Sequence, residues 1–69
     1  MPLTMARIGE KNHIQKITGR DEVRQHLAEL GFVVGSEVVV VSEIGGSMIL
    51  SVKDSRIALD KTMANRIMI

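Results

Sequence analysis

The sequence predicts a mainly β protein: a small, partly open barrel of about five strands with one inserted α-helix. Three observations predict it. Short β-branched or aliphatic runs alternate with tight turn signals, most clearly Val38–Val41 ahead of Gly45-Gly46. Helical periodicity with matching end signals occurs in one long segment only, residues 21–30. The chain has 69 residues, enough for one domain spanning positions 1–69.

At this size a single core rarely supplies more than roughly 3–5 kcal/mol, and many such domains add a disulfide or a structural metal. With no cysteine, neither a disulfide nor a thiolate zinc site is available. Stability therefore rests on aliphatic packing, for which a composition of 45% hydrophobic residues with Phe32 as the sole aromatic is suited. Nine basic and eight acidic side chains leave a formal charge of +1, without the basic excess that drives nucleic-acid binding. No apolar run approaches the roughly 20 residues that span a bilayer, and the first residues lack a secretory pattern. A cytoplasmic protein that is not itself inserted in a membrane is the expectation.

Along the chain, Leu3, Met5 and Ile8 form an apolar lead-in expected to point to the core. After a polar turn, a first strand is predicted over 13–18, where the odd spacing of Ile14 and Ile17 suggests a bulge or burial on both faces. In the helix over 21–30, Val23, Leu27 and Leu30 recur at i, i+4 and i+7 as an apolar stripe. Thr18 or Asp21 is the candidate N-cap, and Asp21 and Glu22 suit the positive end of the macrodipole. Gly31 fits a left-handed C′ position, which brings Phe32 onto Leu27. Strands are then predicted over 36–44, 47–53 and 56–59, the first two joined by a type I′ turn at Gly45-Gly46. Met48, Leu50 and Val52 share one face of the second, and Ile57 and Leu59 point inward from the third. Asp60 can cap a short helical turn over 60–64, and Ile67 and Ile69 close the chain as a final strand.

The order of these signals resembles the FeoA family over essentially the whole chain. The lead-in ends in Gly9, and Ile14 and Ile17 match the family's first strand. Arg24, Leu27, Leu30, Gly31, Gly35 and Val38 match its pattern R..L..LG..PG..V. Ile57-Ala58-Leu59, then Ala64 and Ile67, are similar to the family's closing stretch. Val34 stands where proline is common, and the Gly45-Gly46 hairpin is shorter than in many relatives. The resemblance implies an SH3-like barrel. It also implies an accessory role beside the large ferrous-iron permease, which carries a cytoplasmic GTPase domain. Related barrels form the C-terminal domain of iron-dependent repressors, so an iron-sensing, transition-metal-binding module is the alternative. The resemblance transfers no functional residue.

The residues themselves argue against an enzyme. Two histidines, no cysteine, no Ser/His/Asp grouping and no phosphate-binding glycine loop give little chemistry to build with. Glu22, His26 and Glu29 share one helix face and are candidate ligands for a divalent transition metal such as ferrous iron. The same pattern describes a solvated helix edge, the commoner use of charged residues. His13 with Glu10 is a weaker pair of candidates, and the methionines read as core fillers.

Apolar surface is the stronger signal. Four consecutive valines put Val38 and Val40 on one face of a strand and Val39 and Val41 on the other, whereas a barrel has one interior. Val39 and Val41, with Ile49 and Met68 out of phase with their own strands, form a candidate partner-binding group. The plainer expectation is that the helix packs across that face. Proline-rich peptide recognition and RNA binding both need aromatic surface that Phe32 alone does not supply.

Overall fold

The computed structural model describes residues 1–69 and contains six strands in two sheets. Strands β1 (Lys11–His13), β3 (Glu37–Ile44), β4 (Ser47–Val52) and β5 (Ser55–Asp60) form an antiparallel sheet in the order β1-β3-β4-β5. Strands β2 (Lys16–Ile17) and β6 (Ile67–Met68) pair separately. Helix α1 (Asp21–Glu29) lies between β2 and β3, and α2 (Lys61–Ala64) between β5 and β6.

The expected first strand is thus two strands, and the reason lies in its partners. Ile14 donates to Ser36 O at 2.9 Å, and the next residue, Gln15, donates to Met68 O at 2.8 Å. The chain changes sheets between them, which accounts for the broken alternation of Ile14 and Ile17. The termini join the same corner: Met1 and Ile69 exchange two bonds of 2.8 and 2.7 Å.

Twelve hydrophobic residues form one buried core with no buried polar side chain. Val38 and Val40 meet Val52 and Leu50 across β3–β4, and all four are buried. Met48 and Leu59 extend this layer, and Leu27, Phe32, Ile14, Leu3 and Ile67 fill the space beneath it. Each fully buried aliphatic side chain contributes about 1.5–3 kcal/mol, so this layer is the main source of stability.

Helix α1 ends as its sequence predicts. Gly31 has φ +106°, Phe32 N–H donates to Leu27 O at 2.9 Å, and Gly31 N–H donates to Ala28 O at 3.0 Å. This Schellman closure turns Phe32 back beside Leu27, both wholly buried. The start differs from expectation. Arg20 is the N-cap residue and makes no side-chain cap bond, so neither Thr18 nor Asp21 caps. Asp21 instead pairs with Arg24 one turn along. In α2 the predicted cap is present: Asp60 Oδ1 accepts from Met63 N–H at 2.8 Å.

Three further expectations are corrected. Leu3 is buried, but Met5 and Ile8 are 67% and 61% exposed. Residues Leu3–Met5 form a 3₁₀ turn, whose three-residue period puts Ala6 rather than Met5 on the side of Leu3. Met1 is also exposed, so among the methionines only Met48 is a core residue, with Met63 packed against the core. The type I′ turn is not at Gly45-Gly46, where only Gly45 has positive φ, the pattern of a type II′ turn. It lies at Lys53-Asp54, with φ +48° and +63°.

Leu27→Ala is expected to cost about 2–5 kcal/mol as a buried large-to-small change, read from denaturant unfolding. Replacing Lys53-Asp54 by Asn-Gly is expected to raise stability by about 1 kcal/mol, since left-handed geometry is disfavoured for ordinary L-residues. A lowered unfolding midpoint would contradict the turn assignment.

Candidate partner-binding face

The outer face of the four-stranded sheet is built by the residues that the core does not use. Across it run Lys11 (β1), Val39 (β3), Ser51 (β4) and Arg56 (β5) as successive cross-strand neighbours. In the next row Ile49 lies opposite Ser42 on one side and Ala58 on the other. The register shifts between Val40 and Ser42, so Val41 is the extra residue of a β-bulge and, with Ser42, opposes Ile49. The four-valine run is accommodated in this way: two valines in the core, one on the outer face and one in the bulge.

The bulge also reverses the alternation downstream. Glu43 falls opposite Met48 and reaches Lys61 of α2 at 3.5 Å, while Ile44 turns outward and is 67% exposed. An unbulged strand would have aimed Ile44 inward and Glu43 out.

Helix α1 does not cover the outer face, contrary to the plainer expectation. Its stripe packs against the interior set instead: Leu27 is in the core with Val38 and Val40, and Val23 and Leu30 pack against it. The cause is the Schellman turn, which commits the helix and Phe32 to the same side. Val39, Val41 and Ile49 stay half-buried and outside the core cluster, and Ala58 is exposed. Lys11 and Arg56 bracket this apolar strip with positive charge, and neither has an ion-pair partner in the chain. Beside Val39 a shallow groove of about 390 Å³ is lined also by Ser36, Glu37, Ser51, Lys53 and Asp54.

Of the residues singled out in the sequence, Val39, Val41 and Ile49 come together on this face. Met68 does not join them. It lies in the other sheet, paired with Lys16 and bridged to Pro2. Glu22, His26 and Glu29 are exposed on α1, and His13 and Glu10 are exposed near β1. No group of three or more His, Cys, Asp or Glu side chains is placed to hold a metal ion. The flanking cations Lys11 and Arg56 and the small Ala58 were missed by sequence reasoning. Lys11 is placed there by pairing with the distant Val39, which no local signal carries, whereas Arg56 and Ala58 follow by alternation from the inward Ile57 and Leu59 of the short β4–β5 hairpin.

Strand order and helix placement make this a small SH3-like barrel, as a prokaryotic SH3-domain protein of the same shape attests: the FeoA of Stenotrophomonas maltophilia, solved as a zinc complex. That structure superposes with a TM-score of 0.85 at 27% identity, covering 99% of this chain and 87% of that one. The family model described as the FeoA domain matches residues 1–69, and the chain belongs to that family. A Methanocaldococcus jannaschii protein named as an Fe(2+) transport protein A is 34% identical over 68 residues, 99% of this chain and 83% of the relative. A crystal structure of an iron uptake regulatory protein, also a FeoA, has a TM-score of 0.87 at 32% identity, covering 96% of this chain and 88% of that one. A manganese-dependent transcriptional repressor shares the fold alone: TM-score 0.86, 18% identity, 97% of this chain and 39% of that one. This chain gathers no donor set of three for a metal ion such as the zinc with which the Stenotrophomonas protein is complexed. No helix is long and apolar enough to cross a membrane.

Because Ile49 faces outward, Ile49→Lys is expected to change stability by no more than about 1 kcal/mol, whereas Leu50→Ala next to it costs about 2–5 kcal/mol. Equal losses in chemical denaturation would mean that the outer face is packed after all.

Proposed function

We propose that this chain is a non-enzymatic accessory module of ferrous-iron transport, acting in the cytoplasm by binding the ferrous permease through its GTPase domain. Family membership supplies the transport context. The observation that carries the binding role is the outer sheet face, where Val39, Val41 and Ile49 stay half-buried and outside the core cluster. Apolar surface left contiguous on a small domain usually marks a partner site. The bracket of Lys11 and Arg56 favours a partner whose apolar patch is rimmed by carboxylates, because complementary rim charge speeds encounter and sets orientation.

The test is an amide-resolved NMR titration with the GTPase domain of the permease from the same organism. Shifts are expected at Val39, Val41, Ile49 and Ala58, and they are expected to vanish with Ile49→Lys. Shifts confined to α1, or none at all, would overturn this assignment of the surface.

A second reading, a transition-metal-sensing module, is favoured by the zinc in the Stenotrophomonas relative and by the fold shared with a manganese-dependent repressor. Against it stands the absence of any group of three His, Cys, Asp or Glu side chains placed to hold a metal ion, Glu22, His26 and Glu29 of the exposed helix included. Calorimetry with ferrous or zinc ions separates the two readings: saturable heat at micromolar concentration would favour sensing, and its absence removes it.

A further inference from the structure

Strand β5 is the longest strand with an unpaired side. In the order β1-β3-β4-β5 it lies at the edge, while the other edge strand, β1, has only three residues. Its inner side is fully used by β4, from Val52↔Ser55 to Ser47↔Asp60. Lys61 N–H donates to Gly46 O at 3.0 Å, which sets the phase of the ladder. Hydrogen bonds to β4 fall on Ser55, Ile57 and Leu59, so the backbones of Arg56 and Ala58 and the amide of Asp60 point away from the sheet. No other element of the chain takes them up. Arg56, Ala58 and Asp60 are all exposed.

An open edge is normally blunted by charge, proline or a bulge. Here β5 carries charge, but in a self-complementary arrangement: Arg56 and Asp60 stand symmetrically about Ala58. We propose that β5 is a docking edge for a second copy of this chain, pairing antiparallel about a two-fold axis at Ala58. In that register Ala58 pairs with Ala58 of the second copy, and each Arg56 lies directly opposite an Asp60. Residues with outward backbone groups meet one another, as a ladder requires. Arg56 has no ion-pair partner in its own chain, and Asp60 spends only Oδ1 on the α2 cap. Centring the pairing on Arg56 or on Asp60 would set like charges face to face, which destabilises a cross-strand pair. Centring the pairing on Ile57 or Leu59 would set Arg56 or Asp60 opposite Ala58 and pair no opposite charges. The two-fold at Ala58 is therefore the one that charge selects, and the small side chain there lets the strands approach. Two such sheets join into one of eight strands, and the outer faces bearing Ile49 and Val39 become continuous across it.

The pairing does not depend on the permease, so its test uses this chain alone. Analytical ultracentrifugation from micromolar to millimolar concentration is expected to show a monomer–dimer equilibrium. Arg56→Glu is expected to weaken association about 10-fold or more, since both opposite-charge pairs become like-charge pairs. Ala58→Pro is expected to abolish it while leaving the monomer's circular dichroism intact, because proline is tolerated where an edge N–H faces solvent. The Ala58 and Asp60 amides are expected to gain hydrogen-exchange protection as concentration rises. A chain that stays monomeric at millimolar concentration overturns the proposal. So does a dimer indifferent to Arg56→Glu, or one in which the Ala58 amide stays unprotected, since another surface would then be pairing.

Discussion

Register between β3 and β4 is the constraint on which the remainder of this molecule depends. The core has no disulfide and no buried polar network, so specificity must come from which face of each strand meets the interior. In a sheet a slip of one residue exchanges the two faces entirely. Val38, Val40, Leu50 and Val52 interlock only in the observed pairing, and Met48 and Leu59 follow from it. Local devices hold that pairing at three points. The hairpin at Gly45 closes one end, the Lys53-Asp54 turn carries the register into β5, and the bulge at Val41 absorbs the residue that would otherwise break it.

The helix answers to the same constraint. A Schellman closure at Gly31 directs Leu27 and Phe32 to one point, and that point is the inner face of the sheet. A helix committed inward cannot also roof the outer face. The half-buried valines and isoleucine of the outer face are thus a consequence of how the core is filled, in a chain too short to supply a third layer. Surface available for partners and stability of the fold are two results of one packing choice.

The fold also leaves its edges unequal. The β2–β6 corner is tied by both termini and bridged by Pro2, while β1 is too short to present much ladder. Only β5 presents a run of free backbone groups, and it does so beside the apolar strip on the outer face. This barrel therefore sets two kinds of surface side by side: an apolar strip on the face and a run of unpaired backbone groups at the edge.

Local signals determined a great deal. Periodicity placed Val23, Leu27 and Leu30 on one helix face, and Gly31 with Phe32 announced the cap that ends the helix. Asp60 announced the cap of α2, and alternation in β4 marked Met48, Leu50 and Val52 as buried. Each of these depends on neighbours within a turn or a pleat, so the information is present in a short window. Tertiary structure decided the rest, because the partners are distant. The strand over Ile14 and Ile17 divides because its two halves bond to Ser36 and to Met68. Met5 faces water because a 3₁₀ turn, not a strand, sets its phase. The four valines were legible as a surplus, but not as a bulge, since a bulge exists only relative to the strand opposite. Lys11 reaches the outer face only through its pairing with the remote Val39, while Arg56 and Ala58 reach it by alternation within the β4–β5 hairpin. What a residue does within its own turn is written locally; what it stands beside is settled only when the sheet closes.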